Sequence, residues 1–453
     1  MNRLDSYFGI SAAGSTVRRE VVGGITTFAT MSYIIFVQPT VLSIAGMDAG
    51  SVLLATCLAS ALACFLMGIL ARYPYALGPG MGENFLFAFA VCGAMAFSWQ
   101  AGLAIVFLSG VLFVLLAAFR TREKAVEILP DTLKHAIGPA IGLFIAFVGL
   151  QWSGIIVLSP ATMVKLGPLN HGAPLISLFG LLVMTALMVR GVRGGILIGI
   201  LVTTGLGVVT GVLPRDIPDM HLSATTFLQL DFGALLGRWQ DALLAIALFF
   251  FLDLFDTVGT LVGVSAQAGF LKEDGSLPRA GRAFMADALG TCGGALMGTS
   301  TVTTYIESAS GVAAGARTGL AAVVTGLCFV AGVALAPVVA VVGHDVGPDY
   351  YAAVLGIENG LVRMHPAVAP ALILVGVLML APLRRIKWDD LTEAVPAFLT
   401  VAIMPLGYGI AEGISAGCVS YAVLKLATGR WREPHPLMYA VALALVLRYA
   451  FVA

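Results

Sequence analysis

Charge is what this sequence has least of. Asp, Glu, Lys and Arg together make up 11% of its 453 residues, against roughly 25% in soluble domains, which excludes an ordinary solvated surface. Neither sign is in excess: 25 acidic and 25 basic residues cancel, so nothing suggests a nucleic-acid partner. Cysteine is equally thin. Cys57, Cys64, Cys92, Cys292, Cys328 and Cys418 stand singly within apolar runs, a pattern that gives no disulfide framework and no metal spacing and leaves them as small packing residues. The first residues, Met1 to Phe8, lack the apolar core and small-residue cleavage site of a secretory leader, so the first span is expected to act as its own insertion signal.

What fills the chain instead is apolar: 59% of residues are hydrophobic. A helix needs about 20 mostly apolar residues to cross the hydrocarbon layer, and such runs predict an all-α polytopic membrane protein. Spans are expected near 22–45, 51–71, 99–119, 136–155, 173–190, 194–213, 241–267, 283–298, 318–342, 366–382, 391–408 and 411–426. Two more runs, 74–95 and 299–316, are long enough to cross but are interrupted by Gly, Pro, Ser and Thr. Each reads as an extended piece followed by a half-helix. A final run, 434–453, contains Arg448; its placement on or across the membrane stays open.

Basic residues test this layout, because Lys and Arg collect on the cytoplasmic side. With the N-terminus inside, Arg18, Arg19, Arg72, Arg120, Arg122, Lys124, Lys134, Arg190, Arg193, Lys272, Arg279, Arg282, Arg317, Arg384, Arg385, Lys387, Arg430 and Arg432 all fall inside. Few fall opposite: Lys165, Arg215, Arg238 and Arg363. The pattern holds only if both interrupted runs cross, which makes fourteen crossings. Fourteen divides into seven and seven, and an odd number per half inverts the second half. The interrupted runs then occupy the third and tenth positions, and matched breaks in inverted halves mark a transporter binding site.

The residues at those breaks carry the chemistry. Pro79 cannot donate to a helix ladder, so the first half-helix is expected to start near Met81 or Gly82. Glu83 and Asn84 then occupy its first turn, beside free N–H groups and the positive dipole end. The second break presents Ser300, Thr301, Thr303 and Thr304 before Glu307, hydroxyls suited to pairing freed backbone groups. Asp253 and Asp256 are three apart and share a helix face. Acids at bilayer depth are costly and usually line a site, and the layout leaves Arg448 as the one basic residue inside a span. The acids must therefore be protonated, hydrogen-bonded or paired with a bound cation, which favours coupling to H+ or Na+. Phe85, Phe251, Phe255 and Tyr305 flank them and offer flat faces for a ring, with ordinary packing as the alternative.

Cargo stays open on these grounds. An inorganic anion or a carboxylate calls for Arg or Lys near the half-helix starts, and none is there. An intramembrane enzyme needs a nucleophile–base pair or a metal cluster, and the spans offer no histidine and no grouped cysteines. A channel or sensor would be insensitive to the proton gradient.

At these residues the chain resembles the azaguanine-resistance-type purine permeases of the nucleobase-ascorbate (nucleobase:cation symporter-2) superfamily. The resemblance runs from Thr26-Thr27-Phe28-Ala29-Thr30-Met31-Ser32-Tyr33-Ile34-Ile35, through Leu77-Gly78-Pro79-Gly80-Met81-Gly82, Asp253-Leu254-Phe255-Asp256-Thr257-Val258-Gly259-Thr260 and Gly298 to Ser308, to Trp388-Asp389-Asp390-Leu391-Thr392-Glu393-Ala394-Val395-Pro396. It implies core halves at 16–120 and 240–342, gate halves at 130–213 and 365–427, and a homodimer. It also implies elevator-like proton symport of a purine nucleobase across the cytoplasmic (inner) membrane, within membrane lipid and without a cofactor or metal. Glu307 matches the family's substrate-binding acid, Asp256 a second substrate-facing acid, Asp253 its essential neighbour, and Asn84 the polar residue of the first half-helix. Proton coupling then falls to Asp253, Asp256 and Glu307, and substrate contact to Glu307, Asp256, Asn84, Glu83, Phe85, Phe255, Tyr305 and Thr304. Where the family commonly carries an apolar residue, this chain has Glu83, which bears on which purine binds. A carboxylate accepts two N–H bonds from one edge of guanine, hypoxanthine or xanthine, whereas adenine sets a donor beside an acceptor, so an acid-rich site leans to oxopurines.

Overall fold

The computed structural model describes residues 3–119, 130–159, 162–272, 277–347, 350 and 363–451; the basic cluster Arg120, Arg122 and Lys124 lies outside them. The fold is mostly helical, as its apolar composition dictates. Among the described residues eight helices are long and apolar enough to cross a membrane: Val17–Ala45, Ala49–Ala71, Trp99–Ala118, Asp131–Trp152, Gly172–Val189, Trp239–Ala266, Gly319–Val342 and Ile410–Ala427. Shorter apolar helices occupy Met81–Ala94, Gly195–Thr210, Leu391–Leu406 and Pro436–Leu447. Helices Ala280–Met297 and Ala369–Leu378 fall in the expected runs 283–298 and 366–382.

The chain divides into two compact units, Met1–Ala118 with Gly149–Ala371, and Phe119–Val148 with Leu372–Ala453. In the first, both interrupted runs take the expected form. Leu77–Pro79 is a strand, and the chain turns into a helix at Met81, continuing in wider π-type turns over Leu86–Ala94. Val302–Thr304 is the second strand, followed by helix Ser308–Ala313. The strands pair antiparallel, Leu77 opposite Thr304 and Pro79 opposite Val302. Gly80 N–H donating to Thr301 O at 3.0 Å and Tyr305 N–H to Ala76 O at 2.9 Å extend the ladder at both ends. Where side chains must help, they do: Ala76 N–H donates to Ser308 Oγ, Leu77 N–H to Cys64 Sγ and Val302 N–H to Thr291 Oγ1.

One element has no counterpart among the expected spans. Ile156–Ser159 and Met163–Leu166 form a second antiparallel pair between two helices. Four-residue strands of β-branched and aliphatic residues are too short to separate by periodicity from the apolar end of the preceding helix.

The second unit corrects the expectation that Arg448 is the one basic residue within a span. Lys425, in the last turn of Ile410–Ala427, is fully buried. Its Nζ lies 2.6 Å from Glu393 Oε1 and 2.7 Å from Glu433 Oε2, and the Thr132 hydroxyl donates to Glu393 as well. Glu433 also accepts from Arg430, which bridges to Asp390. The ends of three helices are thereby tied by charges that satisfy one another. Removing one partner of a buried pair typically costs about 3–5 kcal/mol, because the other charge is stranded. Lys425→Met is therefore expected to lower the melting midpoint of the purified protein sharply, and Lys425→Met combined with Glu393→Gln to recover part of the loss; a single variant melting like the parent removes this assignment.

Candidate functional site

The site is built on the strand junction of the first unit and on two helices that lie against it. Helix Trp239–Ala268 brings Asp253, Asp256 and Thr257; helix Ala280–Met297 brings Asp287 and Thr291. Glu83 and Asn84 sit in the first turn of the first half-helix, as the position of Pro79 predicts. Glu307 immediately precedes the second half-helix. Antiparallel strands send the two half-helices away from the junction in opposite senses.

The acids separate by access. Asp256 is exposed and Glu307 half-buried, with exposed Ile306 beside it. Asp253 and Asp287 are fully buried and Glu83 nearly so. Glu307 Oε1 accepts from the hydroxyl of buried Tyr33 at 2.9 Å. Asp256 Oδ2 accepts from Thr303 Oγ1 at 3.1 Å. Asp253 Oδ2 accepts from Thr291 Oγ1 at 3.2 Å, while its Oδ1 has no hydrogen-bond partner. Glu83 folds back over Gly80, where an added Cβ would stand 2.1 Å from Glu83 Oε2; only glycine leaves the carboxylate that room. Its Oε1 is buried without a partner.

Asp287 was not singled out by the sequence, although a lone acid in Ala286-Asp287-Ala288 within an apolar span was the available signal. Its two oxygens accept from Thr257 Oγ1 at 2.9 Å and Thr304 Oγ1 at 3.1 Å. Thr257 and Thr303 hydroxyls are 3.0 Å apart, so one hydroxyl chain joins buried Asp287 to exposed Asp256. Proton counting constrains it. A hydroxyl carries one proton, and the three contacts Asp287–Thr257, Thr257–Thr303 and Thr303–Asp256 need three. The chain is complete only when one of its terminal carboxyls supplies a proton, so the arrangement can store a proton between an accessible acid and a buried one.

Other candidates are occupied differently. Thr304 faces Asp287. Tyr305 is buried and gives its hydroxyl to Pro79 O at 2.5 Å, clamping one strand to the other. Phe85 is fully buried and stacks on Phe89 at 5.5 Å, and Phe255 stacks on Phe251 at 6.1 Å. Nothing in the sequence around Tyr33 marks it as the hydrogen-bond partner of Glu307. Among the described residues no cluster of His, Cys, Asp and Glu has the geometry of a metal site.

Close helix approach holds Glu307 in place. A Cβ on Gly311 would meet Thr27 Oγ1 at 2.1 Å and Gly23 O at 2.6 Å, so the second half-helix lies directly on helix Val17–Met31. Overpacking of this kind costs about 1–3 kcal/mol. Gly311→Ala is expected to lower the melting midpoint clearly, whereas Gly205→Ala, in open space, leaves it unchanged or higher; equal behaviour of the two would refute the contact.

Comparisons with known proteins agree with this architecture. The Permease family matches residues 18–349. The guanine/hypoxanthine permease PbuG of Bacillus subtilis is 43% identical over 99% of this chain and 100% of its own length. The adenine permease AdeP of Escherichia coli is 40% identical over 99% of this chain and 96% of its own. Among solved structures, the transmembrane domain of a cyanobacterial bicarbonate transporter, BicA, superposes with a TM-score of 0.64 over 88% of this chain and 96% of that one, at 13% identity. That last likeness concerns the fold alone.

Proposed function

The chain belongs to the Permease family and is a transporter, not an enzyme, and from that premise we propose that it imports purine nucleobases coupled to protons. The observation that carries the reading is the pairing of two accessible carboxyls, Asp256 and Glu307, with a buried carboxyl linked to one of them by hydroxyls. Glu307 and Asp256 accept the N–H edge of the base. Asn84 and Glu83 orient it from the first half-helix, and the half-helix amides meet ring acceptors. Phe255 supplies a partly open aromatic face, while Phe85, Thr304 and Tyr305 shape the site from behind. Asp253, Asp256 and Glu307 exchange the coupling proton, with Asp287 as the buried end of the chain. The names of the relatives support the purine class, guanine, hypoxanthine and adenine being the bases they print.

The remaining features belong to the same proposal. Fourteen crossings form a seven-plus-seven inverted repeat, with core halves at 16–120 and 240–342 and gate halves at 130–213 and 365–427. The core slides against the gate as an elevator, in a homodimer in the inner membrane with the N-terminus cytoplasmic. The fold likeness to a bicarbonate transporter keeps an inorganic anion as the rival cargo. Against it stands chemistry: the half-helix starts carry Glu83, Asn84 and Glu307 and no cation, the reverse of what an anion needs.

Uptake of labelled guanine, hypoxanthine and adenine by cells lacking their own permeases tests this. Accumulation should collapse when the proton gradient is dissipated. Glu307→Gln should reduce it at least about tenfold, since hydrogen bonds to a charged group contribute about 1.5–3 kcal/mol. No uptake of any of the three, with the protein confirmed in the membrane, ends the purine reading; uptake indifferent to the gradient ends the coupling.

A further inference from the structure

Gln38 is a fully buried amide in helix Ile34–Leu42. Its Nε2 donates to Thr299 Oγ1 at 2.9 Å and to Ser300 Oγ at 3.4 Å. Ser300 in turn donates its hydroxyl proton to Asn84 Oδ1. The three side chains form a row that crosses the strand junction and ends in the first turn of the first half-helix. Both ends of the row are unspent: Gln38 Oε1 and Asn84 Nδ2 are buried without a hydrogen-bond partner. Native folds seldom leave such groups unpaired, and an exception calls for a ligand or a water to complete it.

A row of this kind has a polarity. Ser300 has one proton to give. With Gln38 donating, that proton goes to the Asn84 carbonyl, and Asn84 is left offering N–H. The reverse arrangement uses the same contacts, Asn84 donating to Ser300 and Ser300 to the Gln38 carbonyl, with Thr299 turning from acceptor to donor. It leaves Asn84 offering C=O. In the structure the row takes the first polarity, Gln38 donating and Ser300 passing its proton to the Asn84 carbonyl, so Asn84 presents N–H.

Resting on the purine reading above, we propose that Gln38 is a positioning residue which, through Ser300, holds Asn84 with its N–H toward the bound base. The base must then show Asn84 an acceptor while its N–H edge goes to the carboxyls. Guanine and hypoxanthine meet both demands, with a 6-oxo oxygen beside an N–H. Adenine puts its 6-amino group where Asn84 already donates. Mismatches of this sort discriminate steeply, because the wrong substrate leaves a buried polar group unpaired.

Competition for uptake of labelled hypoxanthine reads the effect, comparing inhibition by unlabelled hypoxanthine and adenine in cells without their own permeases. Three forms are compared: the unsubstituted chain, Gln38→Met, which keeps the length and removes both amide groups, and Ser300→Ala, which removes the central hydroxyl. The unsubstituted protein is expected to favour hypoxanthine by about tenfold or more. Either substitution should reduce that ratio severalfold, chiefly by strengthening inhibition by adenine, with the maximal rate for hypoxanthine kept within about threefold. Membrane abundance and melting midpoint are followed in parallel, and if Gln38→Met does not insert, Ser300→Ala decides alone. A packing role moves both inhibition constants together; an unchanged ratio therefore overturns the proposal, as does an unsubstituted protein that prefers adenine. Uptake of neither base by the unsubstituted chain takes down the purine reading and this inference together, whereas hypoxanthine uptake with an unchanged ratio takes down the inference alone.

Discussion

Backbone that leaves a helix inside an apolar interior must find other partners for its N–H and C=O groups, because nothing around it competes as water does. Two three-residue strands meet that constraint for one another. Each is the break in an apolar run that would be untenable alone, since a chain interrupted by Gly78, Pro79 and Gly80 has unpaired groups that lipid cannot accept. Paired antiparallel, they become a rigid joint from which two short helices depart. The side chains packed around the joint are accordingly the polar ones: Ser60, Thr291, Thr299, Ser300, Thr301, Thr303 and Thr304 are all buried. The hydroxyls of Thr291 and nearby Ser308 serve the backbone, at Val302 and Ala76, while those of Ser300, Thr303 and Thr304 bond the side chains of Asn84, Asp256 and Asp287.

That joint explains why the carboxyls need no cation. Lys425, in the second unit, shows the other way to bury an acid, by direct ion pairing. Around the joint four acids are instead held by hydroxyls: Asp253 by Thr291, Asp256 by Thr303, Asp287 by Thr257 and Thr304, and Glu307 by Tyr33. An ion pair fixes charge, since separating it strands the partner. A hydroxyl can donate to a carboxylate or accept from a carboxylic acid, so the same contact survives a change of protonation. On the proposed reading this is what a coupling site requires: the proton can come and go without the scaffold coming apart.

Much of this was legible in the sequence, and the boundary of legibility has physical causes. The breaks, the helix start at Met81 and the shared face of Asp253 and Asp256 follow from local rules about proline, glycine and helical spacing. The partnering of the strands does not, because Pro79 and its partner Val302 stand 223 positions apart and no local pattern encodes the register. Asp287 escaped notice because a single acid in an apolar helix resembles a packing polar group until Thr257 and Thr304 are seen to face it. Tyr305 and Phe85 read as flat faces because aromatics beside acids invite that reading; both are buried, and Tyr305 donates its hydroxyl to Pro79 O. Lys425 lay at the end of an expected span, where its two carboxylate partners, Glu393 and Glu433, come from elsewhere in the chain.

Adjacent Glu83 and Asn84 show how little of a residue's duty is set by position alone. Both stand in the first turn of the same half-helix, where the dipole favours negative charge. The Glu83 carboxylate turns back over Gly80 toward the helix start, the direction in which an acid at the third helical position usually caps, and Gly80 is the residue that makes room for it. Asn84 is turned instead toward Ser300 and the second strand's approach. An acid therefore sits against the half-helix start, in the room that Gly80 leaves, and a neutral amide sits in a hydrogen-bond row with Ser300 and Gln38. On the proposed reading, Glu83 bears on the polarity of the half-helix start, and discrimination between bases rests with Asn84 beside it.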